Sequence, residues 1–252
     1  MSVRVTNLTF SYKNFSLHVD ALRFEVSKVT AIVGPNGAGK TTLLKCIGAV
    51  LPIEKKSLFI NGRDIALMKS QERARHISYV PQEHESAFNY LVRDFVLMGR
   101  VAYVSPFALP SREDIKAADE AIEFVGLTSY SGRYYSELSS GERRLVLIAR
   151  ALAQQSDILL LDEPTTFLDP KHETEILELI RKLAQEKQKT ILVTLHSLEM
   201  AFRYSDYMVF MKKGRVVASG KPADVFREPL LKSVYDMEMK IIDWNDRKIV
   251  LR

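Results

Sequence analysis

The sequence predicts an α/β protein built around a mainly parallel β-sheet. Short apolar runs of strand length alternate along the chain with longer stretches whose apolar spacing is helical. One such run, Val29–Val33, stops at a glycine-rich loop, which is the pattern of a buried parallel strand followed by a tight turn. Two further runs, Ile158–Leu161 and Thr190–Leu195, stop at acidic or histidine side chains. This alternation of strands and helices is typical of a parallel sheet with helical connections.

The first third of the chain begins this pattern. Alternating apolar residues predict a strand from Val3 to Tyr12. The apolar spacing of residues 40–51 predicts a helix directly after the glycine-rich loop. Further strands are predicted at Ser57–Ile60 and Ile77–Val80, with a turn at Asn61–Gly62.

The middle of the chain is predicted to be helical. Apolar residues have helical spacing at Val92–Val101 and Ser111–Val125, and the serine that begins the second stretch is a predicted N-cap. We expect this block to form a small helical unit inserted into the larger α/β unit. Beyond it, a helix is predicted at 172–187 and a strand at Tyr207–Met211, whereas residues 222–252 show no clear pattern.

The composition is that of an ordinary globular protein: 252 residues, of which 46% are hydrophobic and 27% are charged. No apolar run approaches the roughly 18 residues that a membrane-spanning helix needs, and the N-terminal pattern predicts no signal peptide. The single cysteine, Cys46, excludes an internal disulfide bond and fits a reducing compartment. The net charge of +5 is spread among 31 acidic residues, so we expect a solvated surface and no nucleic-acid partner.

Residues 34–41, GPNGAGKT, match the pattern G-x-x-x-x-G-K-[ST] of a phosphate-binding loop in full. Its glycines let successive N–H groups face one anion, and the following helix directs its positive N-terminus to the same point. Lys40 is expected to reach the β- and γ-phosphates, and the Thr41 hydroxyl is expected to bind Mg²⁺. The alternative, a chance glycine turn, is disfavoured by the strand before and the helix after. The predicted nucleotide-binding residues are Gly34, Pro35, Asn36, Gly37, Ala38, Gly39, Lys40, Thr41 and Thr42.

Acidic residues and a histidine stand at the ends of two predicted strands. Asp162 and Glu163 follow Ile158–Leu161, where Asp162 is expected to bind Mg²⁺ and Glu163 to polarise an attacking water. Many buried strands end in an acidic residue for structural reasons, but the phosphate loop upstream favours the catalytic role. His196 ends Thr190–Leu195 at the edge where parallel sheets bind ligands, so a γ-phosphate contact is expected beside the structural alternative.

The stretch Leu138–Glu142, LSSGE, resembles the signature motif of ATP-binding cassette (ABC) proteins. Its place between the phosphate loop and the two carboxylates is similar to theirs, and the similarity covers essentially the whole chain. The resemblance implies a P-loop NTPase (RecA-like) parallel-sheet core with an N-terminal antiparallel β subdomain and an inserted helical subdomain. The implied limits are 1–82 and 155–222 for the core, 83–154 for the helical subdomain with the signature, and 223–252 for a C-terminal tail.

The resemblance also assigns roles to five further residues. Tyr12 is similar to the aromatic residue that stacks on adenine, and Gln82 to the glutamine that contacts Mg²⁺ and water and senses the γ-phosphate. Ser139 and Gly141 resemble the signature residues that face the γ-phosphate of the opposite subunit, and Asp169 resembles an aspartate that contacts that subunit. The alternatives are a strand tyrosine, a loop glutamine and two helix N-caps.

The chain departs from the family pattern at three positions. The signature has Ser140 where glycine is commonest and Glu142 where glutamine is commonest, and both changes are expected to be tolerated because they are conservative in size. Phe167 stands in the loop before Asp169 where a small residue is usual, which affects the packing expected at a subunit interface.

The resemblance implies an ATP hydrolase in which two copies share two sites, so that binding of ATP and Mg²⁺ closes the pair and hydrolysis opens it. Val92–Arg100 and Leu168–His172 resemble segments of ATPases that power the uptake of iron(III)–siderophores, haem and vitamin B12. The expected function is import of iron(III) chelates or cobalamin through integral-membrane permease subunits, indirectly with a substrate-binding protein. The expected location is cytoplasmic, on the inner face of the cell membrane.

Two other functions are alternatives. A cassette ATPase that acts on ribosomes usually carries two phosphate loops, and one that acts on DNA carries a long coiled coil before the signature. This chain has one phosphate loop, and Lys40 and Ser139 are only 99 residues apart. An exporter or lipid-transport ATPase shares every catalytic motif, and only the resemblance of Val92–Arg100 disfavours it.

Overall fold

The structure is a computed structural model that describes residues 2–12, 14–82, 89–105, 108–245 and 247–251. Its strands are β1 (Val3–Tyr12), β2 (Phe15–Phe24), β3 (Val29–Val33), β4 (Leu58–Ile60), β5 (Arg63–Asp64), β6 (Ile77–Val80), β7 (Ile158–Leu161), β8 (Thr190–Thr194), β9 (Tyr207–Lys212), β10 (Arg215–Gly220), β11 (Lys240–Trp244) and β12 (Arg247–Leu251). Its helices are α1 (Lys40–Ile47), α2 (Ser70–His76), α3 (Val92–Leu97), α4 (Arg112–Phe124), α5 (Ser140–Ala153), α6 (Pro170–Glu186), α7 (Leu198–Tyr204), α8 (Pro222–Val225) and α9 (Glu228–Tyr235). None of the helices in these ranges has the length and apolar character needed to cross a membrane.

Ten of the described strands form one sheet in the order β5-β4-β1-β2-β10-β9-β3-β8-β7-β6. The strands β9, β3, β8, β7 and β6 are parallel neighbours. At the other side of the sheet, β1 pairs antiparallel with β2 and β4, and β4 pairs antiparallel with β5. The predicted α/β fold, with a parallel core and an N-terminal antiparallel part, is therefore confirmed.

Helices cover both faces of the central strands. Every residue of β3, β7 and β8 is buried, as expected for parallel strands between two helical layers. Successive side chains enter two different apolar cores: Ile32 and Leu192 pack with α1 on one face, whereas Ala31 and Val193 pack with α5 and α6 on the other. This two-sided burial fixes the strand register, because a slip of one residue would exchange the two faces.

The predicted elements are confirmed with small shifts at their ends, and the helix predicted at Val92–Val101 consists of α3 followed by a 3₁₀ helix at Met98–Ala102. The exception is the helix predicted at 40–51, which is wrong beyond Ile47. Gly48 caps this helix, and Ala49 then turns the chain with a left-handed φ of 49°. Leu51 continues the apolar spacing in sequence, although the turn has already taken it out of the helix. Apolar periodicity cannot detect such a turn, which is why the predicted helix was too long.

The C-terminal residues, which show no clear pattern in sequence, form two short helices and the hairpin of β11 and β12. Met239 and Val250 are buried against the core that contains α7. The N–H of Val250 donates to the Glu199 carboxylate on α7 at 3.2 Å. The tail is therefore packed onto the rest of the chain.

Helices α3, α4 and α5 pack against one another, as the predicted helical unit requires. Ser111 begins α4 with a full capping box, in which its hydroxyl accepts from the N–H of Asp114 and the Asp114 carboxylate accepts from the N–H of Ser111. The limits 83–154 stay a prediction, as do the other domain limits. The first residues of this unit, 83–88, lie outside the described residues.

A buried arginine joins the parts of the helical unit. Arg100 donates to the Asp114 carboxylate at 2.9 Å, and to the carbonyl of Ala153 and the side-chain oxygen of Gln155 at 2.8 Å. Its guanidinium also lies 3.8 Å from the ring centre of Tyr103. Arg100, which lies just after α3, therefore ties this part of the chain to the start of α4 and the end of α5.

We predict that Arg100→Ala lowers the free energy of unfolding by about 3–5 kcal/mol, because it leaves the buried Asp114 carboxylate without its cation. Urea unfolding followed by circular dichroism measures this change. Arg93→Ala is the matched control, since Arg93 pairs with Asp119 at 2.8 Å but both side chains are about half exposed. Its loss should cost about 1 kcal/mol or less. Equal losses in the two variants would contradict the structural role given to Arg100.

Candidate nucleotide site

The glycine-rich loop lies between β3 and α1, at the carboxyl edge of the parallel strands. Gly34 passes so close to β9 that a side-chain Cβ would lie 2.2 Å from the carbonyl oxygen of Met211, so only glycine fits there. The loop borders a cleft of about 420 Å³. The residues that line this cleft are Tyr12, Phe15, Asn36, Gly37, Ala38, Gly39, Lys40, Thr41, Thr42 and Glu163.

Lys40 is buried in the cleft and is bound to the loop itself. Its Nζ donates to the carbonyl oxygens of Gly34 at 2.8 Å and Pro35 at 3.2 Å. Burial lowers the pKa of Lys40, and the charges of Glu163 and Asp162 oppose that shift. The amine is therefore a desolvated donor at the position where the motif requires a phosphate ligand.

Asp162 is buried at the end of β7 and accepts three hydrogen bonds from hydroxyl groups. Thr41 and Thr194 both donate to its Oδ1 at 2.9 Å, and Tyr79 donates to its Oδ2 at 3.0 Å. Burial and the neighbouring charge of Asp162 raise the pKa of Tyr79, so the phenol stays a protonated donor. The carboxylate is therefore held on both of its oxygens.

The donor set at Asp162 fits Mg²⁺, because a hydroxyl and a carboxylate are the hard oxygen ligands that this ion prefers. Among the described residues, no group of three or more His, Cys, Asp and Glu side chains could hold a metal ion. Mg²⁺ commonly combines one or two carboxylates with waters and substrate phosphates, so Thr41 and Asp162 would hold it together with a nucleotide. Gln82, the third predicted ligand, directs its amide to Glu163, and its metal role stays a prediction.

Glu163 lies just beyond the C-terminal end of β7, where three side chains hold it. The Nε2 of His196 lies 2.7 Å from its Oε1, while Gln82 and Thr166 donate to its Oε2 at 2.6 and 3.2 Å. Its backbone N–H donates to the hydroxyl of Thr194 at 2.7 Å. Its φ of 48° is left-handed, which costs about 1 kcal/mol or more outside glycine. The structure thus brings the three predicted catalytic residues into contact.

Two aromatic side chains line the cleft. Tyr12 is 52% exposed, and its ring packs edge-on against Phe10 with 4.8 Å between the ring centres. Phe15 lies against the phosphate loop, since a Cβ at Gly39 would be 2.7 Å from its ring. Either ring offers an apolar face to a planar base, and the sequence predicted only Tyr12 for this role.

Ser139, Gly141 and Asp169 are not among the lining residues of this cleft. Ser139 caps α5 and Asp169 caps α6, as the N-cap alternative expected. His172 joins the two helix starts: its Nδ1 lies 2.5 Å from Asp169, and a Cβ at Gly141 would lie 2.9 Å from its ring. These hydrogen bonds lower the pKa of Asp169. The contacts of this second group with another subunit stay a prediction.

The structure shows the contacts or the exposure of the three residues that depart from the family pattern. Glu142 completes the cap of α5, because its carboxylate accepts from the N–H of Ser139 at 2.7 Å, and this bond lowers the pKa of Glu142. Ser140 is exposed at the first turn of the same helix. Phe167 is 83% exposed and has a left-handed φ of 64°, so its ring is open to a neighbouring molecule.

The helix that begins after Ser139 is also tied to the sheet. Arg144, in the second turn of α5, donates to the carbonyl oxygens of Pro81 and Gln82 at 2.9 and 2.6 Å. Gln82 is the residue whose amide contacts Glu163. The start of α5 and the end of β6 therefore form one hydrogen-bonded junction.

Comparison with known proteins identifies the family. A sequence model described as ABC transporter matches residues 17–166. The chain belongs to the ABC transporter family. It is an ATP-hydrolysing transport ATPase, as the resemblance predicted.

Relatives match this ABC ATPase over most or all of its length. One relative is a Helicobacter pylori protein whose name describes an iron chelatin transport ATP-binding protein. It is 36% identical over 254 residues, and the match covers 100% of this chain and 99% of the relative. A solved structure described as an inward-facing conformation of a metal-chelate type ABC transporter has a TM-score of 0.86 at 28% identity. The match covers 99% of this chain and 95% of that chain. A dimeric cassette bound to ADP and Pi has a TM-score of 0.74 at 26% identity and covers 87% and 98%.

The sequence analysis missed five residues of the two groups: Phe15, Tyr79, Thr166, Thr194 and His172. Tyr79 and Thr194 have ordinary strand side chains, and only the pairing of their strands with β7 brings them to Asp162. Their positions near strand ends at the carboxyl edge were the available signal. Phe15 begins β2 after a turn, and nothing in its local sequence indicates a ligand.

We predict that Lys40→Ala weakens ATP binding by about 10- to 100-fold, because losing a charged donor to phosphate costs about 1.5–3 kcal/mol. Isothermal titration calorimetry with ATP measures the change. Lys45→Ala is the control, since it removes a positive charge from the last turn of the same helix, outside the cleft lining. Unchanged affinity in Lys40→Ala would remove the lysine from phosphate binding.

We predict that Glu163→Gln retains ATP affinity but lowers turnover by about 10²- to 10⁴-fold, because an amide cannot accept a proton from the attacking water. Phosphate release gives the turnover, and calorimetry gives the affinity. Glu178→Gln makes the same change at an exposed position of α6 and should match the wild type. Normal turnover in Glu163→Gln would exclude Glu163 as the base.

Proposed function

We propose that this chain is the ATPase subunit of an ABC importer for iron(III) chelates, such as siderophores or haem. The observation that carries the proposal is the match of the whole chain to 99% of a relative named for iron chelatin transport. The similarity to a solved transporter of metal-chelate type supports the same class. Cobalamin is the alternative cargo within the importer group.

The proposed hydrolysis follows from the contacts in the cleft. Lys40 and the N–H groups of the loop bind the triphosphate. Thr41 and Asp162 would hold Mg²⁺, which would neutralise phosphate charge. Glu163 orients the attacking water and accepts its proton. His196 and Gln82 hold the two oxygens of Glu163 and can exchange these bonds for the γ-phosphate or the water.

A second copy of the chain completes each proposed site. Ser139 and Gly141 lie at the N-terminus of α5, outside the cleft of their own chain. The partial positive charge of this helix start suits a γ-phosphate held by another copy. The dimeric state of a similar cassette bound to ADP and Pi supports this arrangement.

The permease subunits are proposed to dock on the connection between α3 and α4. Val101 and Leu109 on this connection are 75% and 90% exposed. Strongly exposed apolar side chains on one connection are typical of a surface that another protein covers. This docking places the partner next to the helical unit, which Arg144 ties to Gln82.

Purification of the tagged chain from the membranes of its own host tests the proposal. A multi-spanning membrane protein should co-purify with the wild type. The double variant Val101→Asp, Leu109→Asp should lose this partner but retain ATP hydrolysis, because both residues lie outside the cleft lining. Val217→Asp is the matched control, since it places the same charge at an exposed apolar position on β10. Full ATP hydrolysis without any membrane partner would support the soluble alternative.

Reconstitution of the purified complex in lipid vesicles identifies the cargo. Uptake of radiolabelled iron(III) hydroxamate should require ATP and should be lost in Glu163→Gln. Uptake of cobalamin instead of iron would replace the proposed cargo. ATP-dependent movement in the opposite direction would support the exporter alternative.

A further inference from the structure

Asp162 is held by the strands on both sides of it. It directly follows β7, whose last residue, Leu161, pairs with Val193 of β8. The next residue of β8, Thr194, therefore lies level with Asp162 and donates to its Oδ1 at 2.9 Å. From β6 on the other side, Tyr79 donates to its Oδ2 at 3.0 Å. Each oxygen of the carboxylate has a donor from a different neighbouring strand.

The Thr194 hydroxyl makes a second bond that reaches the next residue of the chain. While it donates to Asp162, it accepts from the backbone N–H of Glu163 at 2.7 Å. Thr194 is fully buried, so no solvent can replace either bond. This N–H belongs to the residue with the left-handed φ of 48°, whose carboxylate meets His196.

We propose that Thr194 and Tyr79 are positioning residues of the hydrolytic site. This inference rests on the proposed roles of Asp162 as metal ligand and Glu163 as base. A carboxylate free to rotate presents either oxygen to a metal, whereas donors on both oxygens fix the plane of the group. Thr194 additionally fixes the backbone from which the Glu163 side chain projects.

The two residues differ in what they position, and this difference can be measured. Among the described residues, the hydroxyl of Tyr79 bonds only to the carboxylate of Asp162, so it is expected to act on metal affinity alone. Thr194 contacts both Asp162 and Glu163, so its hydroxyl acts on metal affinity and on turnover. Saturating metal should therefore rescue the loss of the Tyr79 hydroxyl but not the loss of the Thr194 hydroxyl.

The test uses the full chain with the variants Thr194→Val, Thr194→Ser and Tyr79→Phe. The first measurement is Mn²⁺ binding in the presence of a non-hydrolysable ATP analogue, from the electron paramagnetic resonance signal of free Mn²⁺. Thr194→Val and Tyr79→Phe should weaken Mn²⁺ binding by about 10- to 100-fold, the usual cost of losing a partner of a metal ligand. Affinity for the analogue in EDTA should not change. Thr194→Ser retains the hydroxyl and should bind Mn²⁺ like the wild type.

The second measurement is kcat for ATP at saturating Mg²⁺. Thr194→Val should remain about 10- to 100-fold slower than the wild type, whereas Tyr79→Phe should recover. Thr190→Val is the matched control, because it removes a buried hydroxyl at the opposite end of the same strand, where the hydroxyl accepts from the N–H of Ser27. It controls for a general effect on folding, which thermal unfolding measures in every variant.

Several outcomes would overturn the inference. Wild-type Mn²⁺ affinity in Thr194→Val and Tyr79→Phe would exclude positioning of the metal ligand, and equal behaviour of Thr194→Ser and Thr194→Val would exclude a role of the hydroxyl. If Thr194→Val does not fold, Thr194→Ala, which also lacks the hydroxyl, takes its place beside Thr194→Ser, and Tyr79→Phe still tests the metal arm. Failure of the underlying site would look different, since Glu163→Gln would then turn over ATP normally.

Discussion

The site depends on the alignment of four parallel strand ends at one edge of the sheet. The strands β3, β8, β7 and β6 are neighbours in that order, and backbone hydrogen bonds hold adjacent strands about 4.8 Å apart. The phosphate loop follows β3, His196 follows β8, the two carboxylates follow β7, and Gln82 follows β6. Residues that are far apart in sequence therefore lie within hydrogen-bonding distance, because the strand register fixes their positions side by side at this edge.

Charged groups in this site are buried, and each is matched by a partner inside the chain. Lys40 is bound to loop carbonyls, Asp162 to three hydroxyl groups, and Glu163 to an amide, an imidazole and a hydroxyl. An unmatched buried charge would be costly, so these bonds keep the side chains in place before a substrate arrives. A triphosphate supplies new partners of the same kinds, and the site can exchange internal bonds for bonds to the substrate without bringing in bulk water.

The sequence was sufficient for those features that depend on local pattern or on a motif. The strand that precedes the loop and the cap at Ser111 are confirmed, because apolar alternation and capping chemistry are local properties of the sequence. Motif spacing also led to Gln82, Glu163 and His196, which the structure brings into contact, and their catalytic roles stay a prediction. The end of α1 was missed, since the turn at Ala49 interrupts no apolar spacing. Tyr79 and Thr194 were missed for a different reason. They reach Asp162 because β6 and β8 lie on either side of β7, and this strand order is a property of the whole sheet that no local pattern indicates.

The junction at Arg144 connects two places that a pair of copies would use separately. Ser139, at the start of α5, is proposed to contact the nucleotide of the partner. Arg144 of the same helix donates to the backbone carbonyl of Gln82, and the Gln82 amide donates to Glu163 of its own chain. A helix that is hydrogen-bonded along its length is stiff, so a displacement at one end is transmitted to the other end. Filling one site would then alter the geometry of the other, and by thermodynamic linkage the reverse would hold with the same factor. The response of such a pair to ATP concentration would therefore differ from that of two independent sites.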